Sequence, residues 1–533
     1  MARVNTNNTS LRFATESTLG TKPTAGWRLA EYNSINAYGA TITTVARRPI
    51  SQDRGRKKGA VTDLESAVEF ETDLTVDAFT DFAEGFVFAE FANKEFDLKA
   101  SSGTVPPPVG ATNAYTIDSA SALLGQKIQY SASYYASLVY AKGYTNSENN
   151  GLKPVAADTA PTDTAVTVAA ASLVTETPPT NASLQVAGMR FITSATDYIT
   201  LTISGGSTAT LVITDSGTNY PADFWSSMGL RAGMFIHIGG VNTATGAVTN
   251  ALDASGTLSY GYARITAVSG DTLSLDKLST TLVTGADSTS NDCDILFGRF
   301  LRNVPVTANT NDNEYLERSY SMEVSYPDLG GSGTDEYEYA VGNYIGEMTL
   351  NLPLTEKATL GYAFTGTNTE DITQTRVTGP SGAVSPLRTT AFNTSSDIAS
   401  ITTDVVSSSS DVCFKSLTFT VSNNVSQEKC LGTLGASFIN TGLFEVNLDG
   451  QMLFTNKAIV NAVKNNTTVT FMSILKNEDG AIALDIPEMT LSGGNRDFPV
   501  DESVLVNITG NSFTSATYGH DLGISVFPVA PWA

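Results

Sequence analysis

The sequence predicts a mainly β fold: a duplicated β-sandwich with one flanking helix per copy, plus small inserted β-domains. Three observations predict it. The 533 residues include 44 Gly and 19 Pro with long tracts of Thr, Ser and Asn, and only 16% are charged, the composition of strands joined by turns. A strand–loop–strand–helix order occurs once near residue 41 and again near residue 416. A long block with its own strand pattern separates the first helix from the strands that return to it. A chain of this length exceeds one ordinary core, so several domains are expected.

The first element is a long hairpin over 41–74: ITTVARRPI, a charged polar loop SQDRGRKKG, then AVTDLESAVEFETDL, whose return strand alternates with period two. TVDAFTDFAEGFVFAEF follows and reads as a helix. Thr75 is placed to cap its first turn, Asp77 favours the N-terminus, and Phe79, Phe82, Ala83 and Phe86 form one apolar face.

The second pass repeats the grammar. SLTFTVSNN leads through the polar loop VSQEKCLG to GLFEVNLDGQMLF and then TNKAIVNAVKNN, where Ala458, Ile459, Ala462 and Val463 make a helical stripe. Each helix is matched by a later strand pair: YEYAVGNYIGEMTLNLPL with KATLGYAFTGT, and AIALDIPEMTLSG with ESVLVNITGNS. The expected domains are a first sandwich at 1–100 with 303–368, a second at 369–533, and inserted β-rich domains at 101–302. SSGTVPPPVG opens the insert as a linker. Within it, SLVYAKGYTNSENNGLKPV and GMFIHIGGVNTATG with GYARITAVSGDTLSLDKLSTTLV read as two echoing units, with tight turns at NNG (149–151) and SGD (269–271).

Several functions lose support. The formal charge of −23 argues against a surface that grips phosphate throughout. The start MARVNTNNTS lacks an export signal's apolar core and no long apolar run spans a membrane, so folding in a cytoplasm is expected. Cys293, Cys413 and Cys430 are odd in number without C-x-x-C spacing, which fits incidental thiols better than a disulfide framework or zinc site. His237 lies in an apolar strand and His520 in an exposed-looking YGHDLG, neither with a nucleophile or ligand at a telling spacing. No G-x-S-x-G, G-x-x-x-x-G-K-[ST] or G-x-G-x-x-G motif occurs, and no metal or cofactor is expected. Paired carboxylates of a β-rich glycosidase remain open, because their separation is invisible in sequence. Trp27, Trp225 and Trp532 fit packing better than sugar stacking.

What stands out is a division of faces. In LESAVEFETDL, Leu64, Val68, Phe70 and Leu74 lie on one side, and Glu65, Glu69, Glu71 and Asp73 on the other. The matching strand of the second half sets Phe444, Val446 and Leu448 against Glu445, Asn447 and Asp449. More weakly, Met348, Leu350 and Leu352 oppose Glu347, Thr349 and Asn351, and Glu488 lies near Ile486, Met489 and Leu491. Alternation alone would put acids on any solvated sheet face. Arg47, Arg48, Arg54, Arg56, Lys57 and Lys58 cluster at the first hairpin's tip without interleaved aromatics, which fits a solvated loop or a dock for acidic protein surface better than DNA contact.

The opening ATESTLGTKPTAGW, the hairpin and helix of 41–91, the phrases GLRAGMFIHIGG and GYARITAVSGDTLSLD, and the return IPEMTLSGGNRDFPVDESVLVNITG resemble the tail tube proteins of long-tailed bacteriophages, in the larger form with inserted domains. The resemblance covers most of the chain. It implies a non-enzymatic virion protein whose inner strands join those of neighbours into one barrel, stacked in rings around passing double-stranded DNA. Duplicated members form trimers, so a trimer is favoured over a hexamer. A tape measure protein and a tail terminator are implied partners, with assembly in the host bacterial cytoplasm and residence in the virion tail. The insert is expected outside the tube, and the arm at 1–30 to order only on docking. About 24 strands at about 4.8 Å spacing and about 40° tilt give a barrel roughly 48 Å across, wide enough for a duplex. Acids inside it would repel DNA, which carries a charge about every 1.7 Å of axis. The alternative is a secreted adhesin or surface-layer-type β-sandwich protein, which should carry an export signal.

Overall fold

The computed structural model describes residues 4–528 except 48–49, 51, 53–55, 93–96, 99–112, 117–127, 129, 132, 157–164, 170–172, 178, 180–181, 193, 242–247, 250, 255–256, 287–291, 308–314, 332, 386–388 and 405–412. The expected linker at 101–110, Arg48, Arg54 and Trp532 lie outside the described residues. The molecule is mainly β, as its composition predicts. Its main sheet draws on β1 (Ser10–Thr15), β2 (Ser34–Arg47), β3 (Lys57–Asp73), β4 (Tyr320–Tyr326), β5 (Glu336–Pro353), β6 (Thr359–Gly366), β7 (Phe414–Ser422), β8 (Glu445–Leu453), β9 (Thr468–Asn477), β10 (Gly480–Asp497), β11 (Leu505–Ser512) and β12 (Gly523–Phe527).

Two strands organise it. The first part of β5 pairs with β4, and after a register shift at Ile345/Glu347 the second part runs between β6 and β7. β10 does the same, pairing first with β9 and β12, then with β11. Each long strand therefore leaves an outer layer and enters an inner one, whose order is β2–β3–β6–β5–β7–β8–β11–β10. The turn of β5 needs Gly342, at φ +66°, where an added Cβ would sit 2.2 Å from Thr367 Oγ1.

Both predicted helices form. α1 (Val76–Val87) starts with Thr75 Oγ1 accepting from Ala78 N at 3.0 Å and stops at Phe88 in a left-handed conformation, a cap worth about 1 kcal/mol. Its buried Phe79, Phe82, Ala83 and Phe86 are the predicted face. Phe82 meets Phe70 of β3 and Tyr362 and Phe364 of β6 at centroid distances of 5.7, 4.9 and 5.7 Å, each ring contributing about 1.5–3 kcal/mol by burial. α2 (Lys457–Asn465) starts at Asn456, whose side chain accepts from Ala458 N, and buries Ile459 and Ala462.

The arm expected to order only on docking is instead part of the fold over 10–30. β1 pairs with β4, and Leu11, Phe13 and Trp27 are buried. Charge pins it: Glu16 accepts from Ser319, Ser321 and Gly342, and the buried Glu323 is bridged by Arg12 and Arg376. A segment with this many buried partners has no reason to wait for a second chain.

Residues 97–296 build a separate sheet of 12 strands over a core that includes Phe191, Phe224, Trp225 and Met234. The strands of both echoing units share this one sheet. The SGD turn is a tight hairpin, with Ser269 opposite Thr272. NNG is not: Ala141 pairs with Gly151, so the connection is a longer loop closed by a 3-10 turn at Ser147–Asn149. Trp225 Nε1 donates to Asp271 O and Trp27 Nε1 to Pro23 O, and both rings are buried.

Candidate functional site

Period-two alternation puts apolar side chains of the inner layer on one face, beneath α1 and α2, and polar ones on the other. On the apolar face Val68, Phe70, Leu360, Tyr362, Met348, Leu350, Phe419, Val446, Leu448 and Ile508 are all buried. The polar face is half-exposed to exposed on every strand.

Strand register sorts that polar face into rows. One row runs Ala37, Glu69, Ala363, Glu347, Ser422, Glu445 across β2, β3, β6, β5, β7 and β8. It holds a carboxylate on every second strand, about 10 Å apart at the usual spacing. The next runs Glu71, Gly361, Thr349, Thr420, Asn447, Asn511, Thr490. A third runs Asp73, Thr359, Asn351, Thr418, Asp449, Thr509, Ser492. A shallow hollow lined by Asn36, Glu69, Glu347, Thr349, Gly361 and Ala363 lies on this face and spans four strands.

Glu65, Glu69, Glu71, Asp73, Glu347, Glu445 and Asp449 therefore share one surface, which no single segment of the sequence displays. Hydroxyls and amides fill the gaps: Thr418 Oγ1 donates to Asn351 at 3.1 Å, Thr509 to Asp449 at 2.8 Å, and Gln451 to Asn507 at 3.0 Å. Among the described residues, two cations touch its margins. Lys357 Nζ lies 2.7 Å from Asp73. Lys429 Nζ lies 2.5 Å from Asp63 and 3.5 Å from Glu65, and this hydrogen bond lowers the Asp63 pKa.

Glu488 lies two residues before Thr490 of the second row, on the same side of β10, just beyond the last described pair Met489 with Ser512. It is half-buried where β10 passes between layers, and it accepts from Ser515 Oγ at 2.8 Å. Asp497, unnoticed in the sequence, belongs to the polar face, accepting from Asn507 at 2.7 Å. Its signal was present in the alternation of the pairing strand 505–511.

The two hairpin loops differ. β2 and β3 run outward as a ribbon, with Thr41–Ala46 and Gly59–Thr62 exposed along with Arg47, Arg56, Lys57 and Lys58. The corresponding loop between β7 and β8 folds back over β3 and β6 through a small strand pair, Ser426–Glu428 with Phe438–Asn440. There Gln427 donates to Gly366 O, Ala436 N to Thr367 O, and Lys429 reaches Asp63.

Both histidines are buried. His237 is buried with Nδ1 2.9 Å from Gly239 O. His520, expected to be exposed, is fully buried against Phe300, and burial lowers its pKa to about 3. Pairing of β12 with β10 and with Arg299–Arg302 draws its loop inward. Cys293 is buried and Cys413 and Cys430 are exposed, and none of the three is in a disulfide. Among the described residues no cluster of His, Cys, Asp and Glu is arranged to hold a metal, and no helix is long and apolar enough to cross a membrane.

No curated protein matches the chain. The family model described as phage tail tube protein matches residues 6–511, through both halves of the inner layer and the insert alike, and the chain belongs to that family.

Proposed function

We propose that this structural tail protein polymerises as stacked rings into the tail tube and conducts double-stranded DNA along the acidic face. The observation that carries the reading is the row Glu69, Glu347, Glu445, which repeats a carboxylate at even spacing across six strands of two sandwich halves. A wall of this kind repels phosphates at every point, so a duplex slides without an unbinding step. The division into tube halves at 1–100 with 303–368 and at 369–533, with the insert decorating the outside, belongs to this proposal. So does a trimeric ring, favoured because one chain already supplies two successive inner-layer units. A tape measure protein and a terminator are the partners a tube of defined length requires, and assembly takes place in the host cytoplasm.

The basic tip of the first hairpin then docks on acidic surface of the next ring. Negative-stain microscopy of the purified protein tests the whole: rings or tubes of constant width are expected, and a dispersed monomer under assembly conditions refutes it. Reversing Arg47, Arg56, Lys57 and Lys58 together should leave subunits folded yet slow or abolish tube growth. Unaltered polymerisation would remove the hairpin from the mechanism.

A further inference from the structure

The inner layer contains its own template for how two subunits meet. β5 and β7 join the two halves by an antiparallel seam in which Glu347 faces Ser422, Asn351 faces Thr418, Leu352 faces Leu417 and Pro353 faces Ser416. The two ends of the layer are open: among the described residues, β2 pairs only with β3, and residues 491–497 of β10 pair only with β11. An open edge is a row of unpaired backbone donors and acceptors.

Register identifies each edge with one side of the internal seam. Thr41 faces Glu65 as Ser422 faces Glu445, and Ala37 faces Glu69 as Thr418 faces Asp449, so β2 is the counterpart of β7. On the other side, Leu350 faces Leu360, which faces Thr72, while Arg496 faces Val506, which faces Met452. Hence the later part of β10 is the counterpart of the later part of β5. Ser492 takes the place of Glu347, Asp497 of Asn351, Phe498 of Leu352 and Pro499 of Pro353, with the positive-φ pair Gly493 and Gly494 absorbing one extra residue.

Burial supports the match independently. Leu352 and Leu417 are 4% and 2% exposed inside the seam, whereas Phe498 is 73% exposed and Ile35 only half-buried. An aromatic ring at a position that is core in one half and bare in the other lacks a partner, not a role.

We propose that the edge Ser492–Pro499 of one subunit pairs antiparallel with the edge Ser34–Thr41 of a second copy, in the register of the internal seam. Ser492 then faces Thr41, Asp497 faces Ala37, and Phe498 is covered by Ile35. The proposal rests on the tube reading and adds to it the contact and its register. The seam between chains repeats the seam within each, so the layer closes as a heterologous ring of like junctions. The acidic rows cross it without interruption, Asp497 taking the place on the polar face that Asn351 holds inside.

Cysteine pairs test the register, in a background with Cys413 and Cys430 replaced by Ser. After mild oxidation of assembled protein, Ser492→Cys with Thr41→Cys should give an inter-chain ladder ending at the ring number. Its cross-link yield should exceed that of Ser492→Cys with Thr43→Cys at least ten-fold, and Glu347→Cys with Ser422→Cys is the within-chain control. Separately, Phe498→Ser should leave the thermal unfolding of the lone subunit unchanged and slow assembly at least ten-fold. Tubes without a ladder, a better yield from the shifted pair, or unchanged assembly of the Phe498 variant each overturn the seam while leaving the tube reading intact. Wild-type protein that forms neither rings nor tubes overturns both.

Discussion

Asp81 shows how burial and charge compete at a single side chain. It sits in α1 with its side chain 8% exposed, bridged by Arg28, yet burial outweighs that partner and raises its pKa to about 6. A carboxyl whose folded pKa lies above its unfolded value binds protons more readily when folded. The fold therefore gains nothing from its ionisation, and stability declines as pH rises from about 4 to about 6. Asp81→Asn copies the protonated form. It should raise stability by about 1–3 kcal/mol at pH 7.5 and leave it nearly unchanged at pH 4, as read by urea unfolding. An equal effect at both pH values would refute the assignment. Neither the partner nor the burial is legible in TDFAEG, because Arg28 arrives from a segment far upstream.

Among the elements, a buried cation fastens the insert to the second half, beside the more exposed ion pair of Lys277 with Asp404. Arg264 donates twice to Asp485 of β10, at 2.8 and 3.0 Å, and twice to Asp276, at 2.6 and 2.9 Å, with Tyr518 beneath it at 4.6 Å. Both Arg264 and Asp485 are buried. Arg264→Met strands a buried carboxylate and should cost about 3–5 kcal/mol, while adding Asp485→Leu should restore most of it. Denaturant unfolding of the two variants checks this, and a double variant no better than the single would exclude the pair as the cause. Phe235, Tyr262 and Phe527 pack in the same contact. The hairpins carry a second lesson at this scale. Two segments of like grammar take different courses, the second folded onto β3 and β6 and the first standing clear, because only the second has a preceding half of its own chain to lie on.

Across the whole molecule the acidic rows are the feature with consequences. Glu69→Lys, Glu347→Lys and Glu445→Lys combined invert one row without touching the apolar face. Tubes should keep their width in the microscope, and the variant tubes should retain duplex DNA with an affinity that falls steeply with salt, whereas wild-type tubes retain none. Ejection by phage carrying the variant should slow at least ten-fold. Unchanged ejection, with normal tubes, would show that repulsion plays no part in passage.

Much of this was legible in residues alone. Alternation in LESAVEFETDL and FEVNLD separates core from acid, Thr75 and the stripe Ala458, Ile459, Ala462 and Val463 announce their helices, and the repeated strand–loop–strand–helix order reveals the duplication, because each signal is local and set by backbone geometry. Only tertiary structure decided which strands lie side by side. The tetrapeptide Glu-Met-Thr-Leu occurs at 347–350 and at 488–491, yet Glu347 is exposed between Ala363 and Ser422 while Glu488 is half-buried and held by Ser515 at the crossing between layers. The same four residues meet different fates because register is set by partners distant in sequence, and a chain's own letters do not name its neighbours.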